Sequence, residues 1–584
     1  MAPTSDDEKA PGHPPGEETD ANTIVGDKET AVEPRPIRSE KKMDDIINSQ
    51  EKGQGSESQD EDFDIEVQEE NNVEIGRVDT RKTNAGRKTH RSILSRLSKS
   101  KTKEKLPPPV IPVMDLENGV VGWESQHDPE HPLNFPQSRK WFITSLLSAI
   151  TFMTPFASSI LAPAIAYVAK DFSEKSVTMA SMPVSIFLLG YAVGPLFLSP
   201  LSEIYGRNII ITTANAFFCA WLIGCALAPT LSTLVFFRFM CGLGGSACQT
   251  IGGAIIADLF PVSERGRAMT IWMLGPMFGP SCAPVIGGFV AETIGWRWVN
   301  WITFIPATIV VCAMVFLNRE TNHQVLIRQK TDRLRKELNR PELRSCYVDP
   351  TAPVLPRRRI IFNGLTRPIR LLFGSPIVFA VSLYIAFAYG CLYLLFNTIP
   401  IVFQGSYGWS IGITGIVYLT LLIGYMVGLG IFSTMSDKTV VRMTKANGGV
   451  YEPEMRLPDC IYFAFLLPIT FFWYGWSADK AVHWIVPVIG LIPFGLGIVG
   501  IWLPIQAYLV DAYSQYAASA LAAFSVMRSV VAAFLPLAGP QMYDALGVGW
   551  GNSLLGFIAI GLIPIPALIY KFGGRIRKRE NFNW

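Results

Sequence analysis

Charged residues are scarce in this chain. Asp, Glu, Lys and Arg make up 17% of its 584 residues, whereas soluble globular proteins usually contain about 25%. The chain is polar up to about residue 139, and the remainder consists mainly of apolar runs of roughly 20 residues, the length that crosses a bilayer. This pattern excludes a soluble globular protein and predicts an all-α integral membrane protein.

Signatures of ATP-driven and metal-dependent chemistry are also missing. The sequence contains neither a GxxxxGK[ST] phosphate-binding loop nor an HExxH zinc motif. Its nine cysteines include no CxxC pair, and most of them lie in apolar runs, where cysteine behaves as a small hydrophobic residue. The sequence therefore predicts a protein that is not an enzyme, with no metal site, no cofactor and no nucleic-acid partner.

Composition divides the chain into five regions. Residues 1–122 lack hydrophobic periodicity and are predicted to form a disordered cytoplasmic tail. Two six-helix bundles are predicted at 123–318 and 375–571, separated by a cytoplasmic loop with amphipathic helices at 319–374 and followed by a basic cytoplasmic tail at 572–584.

The apolar runs predict about twelve membrane spans in two sets of six. Lys and Arg concentrate in alternate loops, which by the positive-inside rule places both termini in the cytoplasm. The predicted spans cover residues 141–166, 179–199, 209–228, 231–257, 268–290, 297–317, 376–402, 411–432, 459–477, 484–506, 518–539 and 550–570.

An internal repeat supports the two sets. Gly190-Tyr-x-Val-Gly194, with Glu203 nine residues later, recurs as Gly424-Tyr-x-Val-Gly428, with Asp437 nine residues later. Similarly, Ala254-x-x-x-Asp258 recurs as Ala507-x-x-x-Asp511. Duplicated bundles around a central path are a transporter architecture.

The loop between the second and third spans carries a family resemblance. Its sequence, Ser199-Pro-Leu-Ser-Glu-Ile-Tyr-Gly-Arg207, resembles the Gly-x-Leu-x-Asp-x-x-Gly-Arg signature of the major facilitator superfamily (MFS). Ser199 and Glu203 replace the leading Gly and the Asp, as in the fungal drug:proton antiporters of twelve spans. The resemblance covers residues from about 123 to 570, and it implies the MFS fold of two six-helix bundles and energy supplied by a proton gradient.

The fourth span contains Arg238 in the sequence Arg-Phe-Met-Cys-Gly-Leu-Gly244, which matches the MFS pattern Arg-x-x-x-Gly-x-Gly. An arginine inside a span is costly and usually faces the protein interior or a watery path. Arg238 is therefore predicted either to bond to backbone carbonyls in helix packing or to act in proton-linked gating or substrate contact. Arg528, in the eleventh span, has the same two interpretations.

The fifth span is dense in small residues and prolines, which allow close helix approach and bend the helix. The spacing resembles the antiporter motif of the family and so implies export by exchange. The motif residues are Gly275, Pro276, Gly279, Pro280, Pro284, Gly287 and Gly288.

The family resemblance also implies contacts at the cytoplasmic face. Glu203 would meet the turn 514–519 at the start of the eleventh span, where a helix N-terminus favours negative charge. Arg207 would pair with Asp258, and these contacts would break when that face opens.

The spans contain no Asp, Glu or His near their middles. The proton site is therefore not assigned by the sequence. The candidates are the acids at helix ends, above all Asp258 and Asp511, with Asp437 as the repeat counterpart of Glu203.

Aromatic and amide side chains within the spans suggest a cavity suited to apolar or weakly cationic compounds. Each aromatic alone could instead pack against a neighbouring helix or lipid. The candidates are Phe156, Gln249, Tyr389, Tyr393, Asn397, Trp502 and Gln506.

Together these features predict a proton-coupled efflux transporter that exports drugs, toxins or secondary metabolites and works as a monomer in the plasma membrane. The vacuolar membrane is the alternative location. The alternative functions are a polyamine or nutrient porter of the same fold and a membrane sensor that does not transport. Polyamine export predicts carboxylates in the cavity, which the sequence does not offer.

Overall fold

The computed structural model describes residues 111–348, 357–513 and 516–580. The first 110 residues of the predicted tail lie outside these ranges. Within them the chain is almost entirely helical.

Three groups of helices follow one another along the chain. The first half contains α1 (Gln137–Ser159), α2 (Ile165–Asp171), α3 (Val177–Tyr205), α4 (Arg207–Leu227), α5 (Leu231–Gly245), α6 (Ala247–Leu259), α7 (Val262–Thr293) and α8 (Trp296–Leu317). The linker contains α9 (His323–Glu337) and α10 (Arg357–Gly374). The second half contains α11 (Pro376–Tyr407), α12 (Ile411–Ile416), α13 (Leu419–Ala446), α14 (Pro458–Ala464), α15 (Leu466–Asp479), α16 (Ile485–Gly490), α17 (Ile492–Ala512), α18 (Ala517–Leu562) and α19 (Pro564–Arg579).

The described residues contain 11 stretches that are long and apolar enough to cross a membrane. The last of these, Ser519–Arg579, has 61 residues and is too long for one crossing at about 1.5 Å per residue. Two helices meet within it at Gly547, whose φ of 75° is accessible to glycine without steric cost. The prediction of about twelve spans is therefore confirmed for the described residues.

The first span of each half lies deepest. In the apolar 18-residue stretch of Pro376–Tyr407, 83% of the residues are buried inside the protein. In the corresponding stretch of Trp296–Leu317 only 33% are buried. The outward side chains of such peripheral helices are apolar, for example Phe316 and Ile309, as expected for a surface in contact with lipid. α1 and α11 therefore flank the centre of the molecule.

The internal repeat corresponds to the same helix contact in each half. A Cβ on Gly190 of α3 would lie 2.4 Å from the Phe239 carbonyl oxygen of α5, and one on Gly424 of α13 would lie 2.3 Å from the Ile492 carbonyl oxygen of α17. Only glycine allows backbones to approach this closely. The repeated sequence therefore marks an equivalent close helix contact in each half.

Residues 111–122, which the sequence predicts to end a disordered tail, belong to the folded structure. β1 (Val120–Val121) pairs in parallel with β2 (Arg344–Ser345) of the linker. Trp123 is 2% exposed and donates its indole N–H to the Tyr347 hydroxyl at 3.1 Å. This small apolar cluster connects residues more than 200 positions apart, and no local pattern predicts it.

The linker helix α10 lies across both halves. A Cβ on its Gly364 would come within 2.3 Å of Pro200 in α3, and its Arg367 guanidinium lies 5.9 Å from the ring of Tyr516, just before α18. The predicted helices of region 319–374 are thus present as α9 and α10. The basic tail predicted from residue 572 is helical up to Arg579, as the end of α19.

Candidate functional site

The loop 199–207 and the residues around it form one end of the helix bundle, which we call the Arg207 face. The predicted ion pair is present there, with Arg207 Nε 3.6 Å from Asp258 Oδ2. Both side chains are mostly buried, at 15% and 18% exposure. The Arg207 guanidinium also donates to the Ser202 hydroxyl at 2.7 Å, which fixes its orientation toward α6.

Sequence reasoning missed Glu320, which organises this face. α4 begins at Arg207 after Gly206, which has no side chain to cap the free N–H groups of a helix start. Glu320, from the segment after α8, accepts the backbone N–H of Arg207 at 2.8 Å and that of Asn208 at 3.1 Å. Its negative charge also suits the positive end of the helix dipole. The sequence shows only that an acid follows the sixth span, and nothing in it places that acid beside the start of α4, 113 positions earlier.

Two histidines also lie at the Arg207 face, and the sequence analysis did not select them. The rings of His131 and His323 have centroids 4.6 Å apart, and His323 Nε2 lies 3.9 Å from Asp258 Oδ1. Burial, with a smaller contribution from the neighbouring His323, lowers the pKa of His131 to about 4. Burial likewise lowers the pKa of His323 to about 4. Both rings are therefore neutral near pH 7.

These pKa shifts predict that acid destabilises the folded protein. In the unfolded chain a histidine has a pKa of about 6.5, so between about pH 6.5 and pH 4 the unfolded state binds more protons than the folded state. Stability from the two rings is complete above pH 6.5 and declines as the pH falls, by roughly 1–2 kcal/mol for each ring at pH 5. The apparent unfolding midpoint in detergent at pH 7.5 and pH 5 measures this loss.

The matched variant is His131→Asn with His323→Gln. The amide introduced at position 131 retains an acceptor for the Leu133 N–H, which His131 Nδ1 accepts at 3.1 Å. We expect the variant to lose less stability on acidification than the wild type. His127→Gln, at an exposed position, serves as the control and should lose as much as the wild type. Equal losses in all three proteins would contradict the assignment.

The other charged candidates have different environments. Glu203 is exposed, and residues 514 and 515 of its predicted partner turn lie outside the described residues. Asp437 lies in α13, and its side chain is outside the described part of the structure. Asp511 forms an ion pair with Arg456 and accepts a hydrogen bond from the Tyr451 hydroxyl at 2.5 Å. Asp511 and Asp258, the two acids of the repeat, thus each pair with an arginine of their own half.

The glycines of the fifth-span motif face two partners. A Cβ on Gly275, Gly279 or Gly287 would lie within 3.0 Å of the α1 backbone or its C-terminal extension, the shortest distance being 2.0 Å from Gly287 to the Ile160 carbonyl oxygen. A Cβ on Gly288 would instead lie 2.9 Å from the Ile411 carbonyl oxygen of α12, in the other half. The motif therefore allows α7 to pack closely against both halves.

The prolines of the motif free backbone carbonyls. Pro284 has no N–H to donate to the carbonyl four residues earlier, at Pro280. That carbonyl instead accepts a hydrogen bond of 2.9 Å from the Ser159 hydroxyl of α1. Pro276 and Pro280 interrupt the same helix at earlier turns. The α1–α7 contact thus combines close packing with a side-chain hydrogen bond to a freed carbonyl.

Arg238 is completely buried at 0% exposure and connects three helices. From α5, its Nε donates to the Pro183 carbonyl of α3 at 3.0 Å, and its Nη2 donates to the Ser158 carbonyl of α1 at 3.2 Å. Its guanidinium carbon lies 4.9 Å from the centre of the Phe187 ring. These hydrogen bonds to backbone carbonyls are the ones that a role in helix packing predicts. One of them reaches Ser158, which also contacts the other half.

That contact is the hydrogen bond between the hydroxyls of Ser158 in α1 and Tyr393 in α11, at 2.7 Å. Tyr393 packs against Tyr389, with ring centroids 5.2 Å apart. Tyr389 in turn lies against the guanidinium of Arg528. A continuous set of polar and aromatic side chains therefore crosses from one half to the other.

Arg528 lies at the far end of this set and is 3% exposed. Its guanidinium carbon lies 4.4 Å from the ring centre of Tyr389 and 4.7 Å from that of Trp502. Its Nη2 donates to Gln249 Oε1 of α6 at 3.2 Å, a second hydrogen bond between the halves. We call Ser158, Gln249, Tyr389, Tyr393, Trp502 and Arg528 the central cluster.

The remaining cavity candidates are less closely connected. Asn397 is 3% exposed, and neither of its amide atoms has a hydrogen-bond partner among the described residues. Phe156 stacks on Phe152, with centroids 5.5 Å apart, in the α1 segment next to Gly279. Gln506 is partly buried in α17. Four of the seven candidates, Gln249, Tyr389, Tyr393 and Trp502, are thus brought together.

The comparisons with known proteins agree with this architecture. The sequence profile of the Major Facilitator Superfamily matches residues 147–536. The chain belongs to the major facilitator superfamily. The predicted family and MFS fold are therefore confirmed, and the family is one of membrane transporters rather than enzymes.

Relatives of this MFS protein support the family assignment, and similar solved structures support the fold. It is 45% identical over 462 residues to MFS transporter cpaT of Aspergillus oryzae, which covers 79% of this chain and 92% of the relative. It is 42% identical over 469 residues to efflux pump radE of Floropilus chiversii, with 80% and 86% covered. The solved xylose transporter XylE from E. coli matches with a TM-score of 0.55 at 17% identity, covering 75% of this chain and 98% of that one. The chain is thus a multi-pass membrane transporter of small molecules.

Proposed function

We propose that this transporter exports small organic molecules, such as drugs, toxins or secondary metabolites, in exchange for protons. The observation that carries the proposal is the position of the central cluster. It lies between two regions, one at each end of the molecule, where the two halves are in contact. At the Arg207 face, α10 covers both Pro200 of α3 and Tyr516 before α18. At the opposite end, Glu292 of α7 accepts the Gly412 N–H at 2.7 Å.

Such an arrangement suits alternating access. If the contacts at one end break while those at the other persist, the central cluster is exposed to one side at a time. Bound substrate would replace the two hydrogen bonds that connect the halves there, Ser158–Tyr393 and Gln249–Arg528. The direction of transport is proposed from the antiporter resemblance of the fifth span and from the relative that is named an efflux pump.

Proton coupling is proposed for the acids at helix ends. Asp258 pairs with Arg207, and Asp511 pairs with Arg456, so protonation of either acid would weaken an ion pair within its half. Both termini would lie in the cytoplasm, and a monomer in the plasma membrane would suffice, with the vacuolar membrane as the alternative. Polyamine export is not favoured, because the central cluster contains an arginine and no carboxylate among the described residues.

The test is accumulation of a xenobiotic panel that includes fluconazole and spermidine, in cells that lack their own exporters. We expect the wild type to lower accumulation of at least one compound, and both a protonophore and Asp258→Asn to restore it. Asp511→Asn should also reduce export. The control is Asp332→Asn, since that side chain is 59% exposed on the linker.

Export that is unaffected by the protonophore would contradict proton coupling. Binding of a compound without any flux would instead favour the sensor. Wild-type export by the Asp258→Asn variant would remove Asp258 as the coupling acid and leave Asp511 as the remaining candidate.

A further inference from the structure

Arg528 is a buried cation with no counter-charge among the described residues. None of the ion pairs among the described residues includes Arg528 or Arg238. The cation–π contacts with Tyr389 and Trp502 and the hydrogen bond to Gln249 offset only part of the desolvation cost of a buried guanidinium. An anion at this position would offset the rest.

The free hydrogen-bonding capacity of Arg528 points in the same direction. A guanidinium carries five N–H donors, and the nitrogens Nε and Nη1 of Arg528 have no partner among the described residues. The Tyr389 and Trp502 rings, whose centroids lie 6.0 Å apart, contact the guanidinium and leave the donors on Nε and Nη1 available. Edge donors of arginine match the geometry of carboxylate and related oxyanions.

Neighbouring groups add to this preference. Trp502 Nε1, which can only donate, is also buried without a partner in the described part of the chain. Arg238 contributes a second positive charge from the first half and reaches the cluster through Ser158 and Tyr393. A cationic substrate would meet two like charges, which disfavours its binding.

We propose that the substrates of the central cluster are organic monoanions, with a carboxylate or acidic enol oxygen bound by Arg528 and an apolar or aromatic body packed against Tyr389 and Trp502. This inference rests on the proposed function, because it names the substrate class of that transport site. It replaces the apolar or weakly cationic class predicted from the sequence, where the partners of Arg528 are not visible.

The experiment uses three fluorescent probes with one body and three charges. These are anthracene-9-carboxylate, its methyl ester and 9-(aminomethyl)anthracene, and their binding to the purified full-length transporter in nanodiscs is measured. We expect the wild type to bind the acid about tenfold or more tightly than the ester, and the amine most weakly.

Variants of Arg528 test whether it causes the preference. Arg528→Gln should bind the acid and the ester equally, whereas Arg528→Lys, which keeps the charge, should retain part of the preference. Arg333→Gln, at a linker position 69% exposed, is the control and should behave as the wild type. Thermal unfolding of each variant identifies any that fail to fold, and the Arg528→Lys comparison remains decisive if Arg528→Gln is one of them.

The outcomes separate this inference from the proposed function. If the wild type binds the amine or the ester as tightly as the acid, or binds none of the three, the anion inference is wrong. If Arg528→Gln keeps the acid preference, Arg528 is not its source. Proton-driven export of neutral or cationic compounds in cells would uphold the proposed function while overturning the anion inference.

Discussion

Arg238→Ala is expected to abolish transport while the protein still reaches the membrane. α1 ends at Ser159, so the Ser158 carbonyl is among the last carbonyls of the helix, which lack intrahelical partners. Arg238 donates to this carbonyl and to that of Pro183. The substitution leaves the Ser158 carbonyl without a partner, at a cost of roughly 1–3 kcal/mol, and removes the link from α5 to the Pro183 carbonyl of α3. It also releases the end of α1 that presents Ser158 to Tyr393.

The measurement is efflux per molecule of protein in the membrane. Arg238→Lys should retain a small part of the activity, because one ammonium cannot reproduce the two fixed directions of the guanidinium donors. Arg333→Ala, at an exposed linker position, is the control and should export normally. Normal efflux from Arg238→Ala would exclude Arg238 from the mechanism.

Gly287→Ala is expected to impair folding severely. The added Cβ would lie 2.0 Å from the Ile160 carbonyl oxygen and 3.0 Å from its carbon. These atoms belong to the backbone and cannot rotate away, so α7 would have to move away from the end of α1. That movement would break the close packing of the α1–α7 contact and weaken the Ser159–Pro280 hydrogen bond.

The measurement is the fraction of monodisperse protein after detergent extraction, followed by size-exclusion chromatography. We expect Gly287→Ala to reduce this monodisperse fraction severely. Gly561→Ala, at a helical glycine with nothing within 4 Å of the added Cβ, provides the matched control. It should be neutral or stabilising, since alanine favours a helix over glycine by about 1 kcal/mol. A normal yield of Gly287→Ala would mean that α7 is free to shift.

Features that depend on a single helix or on a pair of neighbouring helices could be predicted from the sequence. Runs of apolar residues predicted the spans, and the repeat around Gly190 and Gly424 predicted two related halves. Both glycines lie at equivalent helix contacts of those halves. The Arg207–Asp258 pair followed from the family resemblance. These predictions succeeded because span length and small-residue spacing act within one helix or one helix pair.

The failures all depend on contacts between distant residues. Glu320 caps α4 from 113 positions away, and the pairing of Trp123 with Tyr347 joins the segment before α1 to the linker. The surroundings of Arg528 come from α6, α11 and α17, so its lack of a counter-charge could not be read from the eleventh span alone. Periodicity gives no information about such partners.

The small sheet between β1 and β2 determines an order of events during synthesis. Proteins are made from the N-terminus, so Val120 and Val121 leave the ribosome long before Arg344 and Ser345, their partners. All helices from α1 to α9 are translated in between. The sheet can therefore close only after the whole first half has been made, and until then Trp123 lacks the hydroxyl to which its indole donates. Closure of the sheet therefore follows translation of the whole first half and of α9.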